Sequence, residues 1–88
     1  MIFIKHTHLL NTHIMIPIGT LIKQDLISQE RTVAWFARKL CMDRSNVYRL
    51  FQKNSIDTSL LSRISMILGK DYFMILSQNL SKRNELQQ

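Results

Sequence analysis

The 88-residue chain is short of the residues that staple or punctuate a fold. Its single cysteine, Cys41, excludes an internal disulfide and fits a reducing compartment, so the cytoplasm is the expected location. One proline, Pro17, and two glycines, Gly19 and Gly69, leave no glycine-rich loop to cradle a phosphate. No apolar run reaches the roughly 18 residues of a membrane span. The opening MIFIKHTHLLNTHIMI lacks a charged start followed by an unbroken apolar stretch, so no cleaved leader is expected. No nucleophile has a base nearby and no two carboxylates share a helix face, so no catalytic residue, no cofactor and no enzyme activity are expected. Acid is scarce too. Six Asp and Glu stand against twelve Lys and Arg, a net charge of +6 with a pI near 10.0, which favours an anionic partner, nucleic acid before membrane.

What is present is helical periodicity, with 45% apolar residues to supply a core. Val33, Phe36, Ala37 and Leu40 recur at i, i+3, i+4 and i+7, and Val47, Leu50 and Phe51 repeat the pattern after a short break. Cys41-Met42-Asp43 lies between them, with Asp43 placed to cap the second helix through its carboxylate. Helices this short cannot stand alone in water, so each must pack its stripe on the other and on neighbours. The pair therefore reads as a helix-turn-helix. Opposite the second stripe, a wheel of about 100° per residue places Ser45, Tyr48, Arg49 and Gln52. Arg44 and Asn46 flank them near the helix start. Arg31, Arg38, Lys39, Arg44, Arg49 and Lys53 against Asp43 give this segment +5 of the chain's +6.

At these residues the chain resembles the lambda-repressor-like (Cro and xenobiotic-response-element) helix-turn-helix family. The resemblance rests on Phe36-Ala37-x-x-Leu40, Met42, Ser45-x-Val47 and Leu50-Phe51, and it extends over residues 18 to 80. The family holds a small residue at Ala37 and a β-branched one at Val47. It usually has glycine where Cys41 stands, a position that needs φ > 0 and is strained for other residues. Many members also carry Glu and Gly where Phe51 and Lys53 stand. Leu61-x-x-Ile64-Ser65-x-x-Leu68-Gly69 is similar to the family's fourth helix, with alanine usual at Ser65. The resemblance implies an all-α fold, a compact bundle of about five short helices, and sequence-specific double-stranded DNA binding as a small transcriptional regulator or repressor.

On that reading the helix from Arg44 enters the major groove. Its base contacts fall at Arg44, Ser45 and Arg49 by the resemblance. The two arginines suit guanine O6 and N7, Asn46 or Gln52 suits adenine, and Tyr48 suits a thymine methyl or a phosphate. Arg31, Thr32, Lys39, Gln52 and Lys53 surround that helix and would hold phosphates. One groove offers few base contacts, so a homodimer on DNA is expected.

Around the pair, the chain divides into an N-terminal arm at residues 1–16, a helical domain at 17–81 and a polar, frayed tail at 82–88. The arm reads as a short strand or as disordered, and it holds His6, His8 and His13. Nothing pre-positions these with Cys41 into a four-ligand site, so no metal is expected. A first helix starts after Pro17, carries Ile18, Leu21, Ile22 and Leu26 inward, and ends near Glu30-Arg31. Gly19 weakens its start unless close packing requires it. Thr32 caps the second helix, Asp57 or Thr58 the fourth and Asp71 the last, and Gly69 closes the fourth in a left-handed conformation. Ser65 reads as a small residue at a close helix contact. Tyr72, Phe73, Ile75, Leu76 and Leu80 are candidates for burial in the last helix. The excess of apolar side chains from Tyr72 to Leu76, together with Trp35, supports a competing reading: a helical protein-interaction module, an antitoxin or adaptor, with little affinity for DNA.

Overall fold

Five helices follow one another along the chain: α1 Ile18–Ser28, α2 Val33–Leu40, α3 Arg44–Leu50, α4 Thr58–Leu68 and α5 Tyr72–Gln87. The computed structural model describes residues 17–87, with side chains through residue 81, and no strand occurs among the described residues. The N-terminal arm and its three histidines lie outside the described residues.

Local chemistry starts most of these helices. Pro17 precedes the first turn of α1, where its missing N–H costs nothing. The Trp35 N–H donates to Thr32 Oγ1 at 3.0 Å, opening α2, and the Leu60 N–H donates to Asp57 Oδ1 at 2.9 Å, opening α4. Asp43 occupies the same position before α3, but its carboxylate makes no capping bond, contrary to the sequence expectation. Its backbone carbonyl accepts from Asn46 and Val47 instead. An exposed carboxylate stays hydrated at little cost, and α3 is held by its buried face rather than by its cap.

Three helices stop in the same way. Glu30, Cys41 and Gly69 take left-handed backbone, with φ of 58°, 57° and 66°. In each case the next N–H reaches back to close the last turn: Arg31 to the Leu26 carbonyl at 3.1 Å, Met42 to Ala37 and Lys70 to Ser65, both at 3.0 Å. This is the Schellman closure, which suits glycine and strains other residues by roughly 1–2 kcal/mol. The left-handed turn at Cys41 and the closure at Gly69 agree with expectation. Glu30 does not, and its turn ends α1 at Ser28, short of the Glu30-Arg31 boundary the periodicity suggests.

The core forms within one compact unit, Pro17–Tyr72. Ile18, Ile22 and Leu26 of α1 are buried with Phe36, Ala37 and Leu40 of α2, Val47 and Leu50 of α3, Phe51, Leu61, Ile64 and Leu68 of α4, and Tyr72. Leu21, Val33 and Ile67, expected in the stripes, are half-buried. Side chains close two helix ends: Arg63 Nη2 donates to the Leu40 carbonyl at 2.8 Å, and Gln29 Nε2 to the Leu68 carbonyl at 2.9 Å. Ser65 is half-buried, and its enclosed hydroxyl finds no partner among the described residues, so small size is what it contributes.

Two contacts lock this unit. Gly19 donates its N–H to the Lys53 carbonyl at 2.9 Å. A methyl group on it would collide with the Leu50 carbonyl oxygen and lie 2.6 Å from that of Phe51. Backbone therefore meets backbone where α1 begins and the segment after α3 passes, and only glycine fits. The second contact joins Asp25 to the turn after α4. Tyr72, fully enclosed, donates its hydroxyl to Asp25 Oδ2 at 2.6 Å, and Lys70 Nζ lies 2.9 Å from Asp25 Oδ1. Lys70 is 42% exposed, so its ion pair is screened and the tyrosine hydrogen bond carries the greater part. Burial first, then the hydrogen bond and charge of Asp25, push the Tyr72 phenol far above its ordinary value.

The rest of α5, from Phe73, belongs to a separate unit. Phe73, Leu76 and Leu80 are exposed and Ile75 is half-buried, so of the burial candidates in this helix only Tyr72 is enclosed. The apolar run goes right round the helix, whereas a helix at a surface buries one stripe. The backbone stays helical to Gln87 where fraying is expected, through a stretch of good helix formers without glycine or proline.

Two outcomes follow for stability. Gly19→Ala should destabilise the protein by about 1–3 kcal/mol, read from the urea midpoint, since the obstructing atoms are backbone. Tyr72→Phe should cost about 1.5–3 kcal/mol, the range for losing a hydrogen bond to a charged group. The native state holds the phenolic proton more tightly than the unfolded chain does. This contribution is therefore complete below about pH 10, the unfolded value, and is lost as pH rises beyond it. Urea titrations from pH 8 to 11 should show wild type losing its advantage over Tyr72→Phe only at the alkaline end.

Candidate nucleic-acid interface

The seven residues of α3 divide sharply between inside and outside. Val47 and Leu50 are 0% and 2% exposed, and Phe51 just beyond is 7% exposed. Arg44, Ser45, Asn46, Tyr48 and Arg49 all face solvent, and Gln52 and Lys53 continue the same exposed face. The cause is angular. At about 100° per residue, Val47, Leu50 and Phe51 fall in one arc and the polar residues in the other. All five side chains assigned to bases by the sequence are thus exposed, with Arg44 and Asn46 at the two flanks of the polar arc, and neither Ser45 nor Arg49 is turned inward.

Several of these side chains are steadied by neighbours. The Tyr48 ring meets Phe51 edge-on, with centroids 6.2 Å apart at 84°, so an exposed aromatic stands on a buried one. Arg49 Nη1 donates to Asn46 Oδ1 at 3.0 Å, one turn back along the helix.

A second group sits on α2 and just before it. Trp35 is half-buried. The Arg31 guanidinium lies 4.6 Å from its ring centroid and the Lys39 ammonium 5.9 Å from it. The π-face attracts both cations, which places two of the side chains assigned to phosphates on one aromatic platform. The Thr32 hydroxyl oxygen is engaged by the Trp35 N–H, but its own proton remains available to donate. Among the described residues, Arg31, Arg38, Lys39, Arg44, Arg49 and Lys53 are exposed and none is paired with a carboxylate. Asp43 is the one acid in their midst.

Reading the residues singly missed two arrangements. One is the Trp35 platform, visible in retrospect as the i, i+4 spacing of Arg31, Trp35 and Lys39. The other is a shallow groove between α2 and α3, lined by Ala34, Ala37, Arg38, Cys41, Met42, Asp43 and Arg44. Arg38 enters the sequence argument only as charge, yet it stands with Arg44 beside this groove.

Among the described residues no helix is long and apolar enough to cross a membrane. Compared with known protein families, curated proteins and solved structures, the chain matches none.

Proposed function

We propose that this protein binds double-stranded DNA in a sequence-specific manner, as a small transcriptional regulator of the lambda-repressor-like helix-turn-helix type, acting in the cytoplasm. One observation carries the reading: α3 is fastened from behind by Val47 and Leu50, and it presents Arg44, Ser45, Asn46, Tyr48 and Arg49 together to solvent. An α-helix of this width fits a major groove, and these side chains carry the donors and acceptors that distinguish base pairs there. Arg44 and Arg49 address guanine, and Ser45 and Tyr48 contact the neighbouring pairs.

The surrounding charge supplies affinity. Arg31 and Lys39 on Trp35, with Lys53, Gln52 and the Thr32 hydroxyl, hold phosphates on either side of the groove. The backbone N–H groups at the start of α2 add partial positive charge there. The protein works as a homodimer on DNA, each copy reading a half-site about 34–36 Å from the other.

A second reading keeps its own support. Phe73, Leu76 and Leu80 are exposed apolar side chains on α5, a surface suited to another protein, as in an antitoxin or adaptor. Tyr72 contributes nothing to that surface because its ring is enclosed and its hydroxyl is held by Asp25. Trp35, the other residue assigned to a partner, is flanked by two cations.

Fluorescence anisotropy with mixed-sequence duplex across a salt series separates the readings. With Arg31, Lys39 and Lys53 on phosphates, log K should fall against log salt with a slope of about −3 per protomer. A slope near zero would leave the interaction module standing alone. Within the DNA reading, Lys39→Ala should weaken every sequence alike and flatten the slope by about one unit. Arg49→Ala should instead cost about 1–3 kcal/mol on the preferred site and relax selection at one base pair. Equal losses for both variants on random and selected DNA would rule out direct reading by Arg49.

A further inference from the structure

We infer that Asn46 is not a base reader of its own but the positioning residue that aims Arg49, so that the two side chains together specify a single guanine. The inference rests on the DNA reading above and refines which residue sets the sequence.

The hydrogen bond from Arg49 Nη1 to Asn46 Oδ1, at 3.0 Å, is its starting point. Both residues are exposed, so the bond is not forced by packing. It arises from helix geometry, which brings residues three apart to the same flank of α3. A guanidinium carries donors only, so it must be met by the amide oxygen, and this orients the Asn46 amide with its NH₂ group directed away from Arg49.

That orientation changes what each residue can read. Adenine is recognised by Asn through two bonds made together, its oxygen accepting from N6–H₂ and its NH₂ donating to N7. Here the oxygen is already engaged by a cation, and its direction is set by the helix rather than by a base. Arg49, in contrast, has five N–H donors and gives one to Asn46. The rest of its planar fork remains for guanine O6 and N7, the acceptor pair it matches bidentately.

Holding the fork matters because arginine is long and rotamer-rich, and a free side chain must be ordered at the moment of binding. Asn46 is short and stands in the first turn of α3, so its own position varies little. Asn46 and Arg49 line a shared crevice with Met42, Leu50, Lys53 and Leu60.

Selection of bound duplexes from a random pool tests this, using wild type, Arg49→Ala, Asn46→Ala, Asn46→Asp and the double alanine variant. Asn46→Ala should relax the same base pair as Arg49→Ala, with about a five- to tenfold loss of preference there. In the Arg49→Ala background it should add no further loss. Asn46→Asp keeps the acceptor and lacks the NH₂ group. It should retain preference at that pair while binding all sequences more weakly, because a carboxylate faces the phosphates.

Relaxation at a different base pair in Asn46→Ala, additive losses in the double variant, or an unchanged Asn46→Ala profile would each overturn the inference while leaving DNA binding in place. A wild type that enriches no sequence would remove both.

Discussion

A seven-residue helix makes too few hydrogen bonds to offset the ordering of its own backbone in water, so α3 can persist only while something holds it from behind. Val47 and Leu50 are that hold, both buried, and Gly19 adds a second by letting the backbone of α1 come up against the carbonyls of Leu50 and Phe51. The arrangement leaves the front of α3 free of any structural duty. Polar and charged side chains can stand there without desolvation, since they are exposed among the described residues. The proposed groove-reading surface is thus the complement of a packing surface, and the two are as close as opposite sides of one short helix.

Charge follows from the same geometry. Six cations between Arg31 and Lys53 would repel one another in a compact unit if they faced inward, and all six are exposed. Trp35 accommodates two of them by offering a π-face, which lowers the cost of keeping Arg31 and Lys39 near each other. Away from this region, the polar contacts serve the fold: Asp25 with Tyr72 and Lys70, Arg63 at the end of α2 and Gln29 at the end of α4. The molecule separates charge used to hold helices together from charge left exposed among the described residues.

Much of this could be read from residue order. The left-handed turn at Cys41 is implied by the family resemblance rather than by residue order, whereas the stripes of α1, α2, α3 and α4, the Thr32 cap, a cap at Asp57 or Thr58 and the closure at Gly69 follow from contacts within a few residues. So does the outward face of α3, because 100° per residue separates Ser45 and Arg49 from Val47 and Leu50 without reference to the rest of the chain. The failures have a common character. Asp43 makes no side-chain cap because whether a carboxylate turns toward its helix or toward water is decided by small differences at an exposed site. Glu30 takes a left-handed turn that no local signal announces. The apolar run after Tyr72 could not be sorted into buried and exposed, since a continuous run has no period.

Sequence by itself determined the helices, their inner faces and the concentration of positive charge around Arg44, because each depends on neighbours three or four residues away. Only the tertiary structure decided why Gly19 must be glycine, since the atoms it avoids belong to Leu50 and Phe51, more than thirty positions later. The same holds for Tyr72, whose partner Asp25 lies 47 residues back. These are contacts between segments brought together by packing, and no pattern along the chain records them.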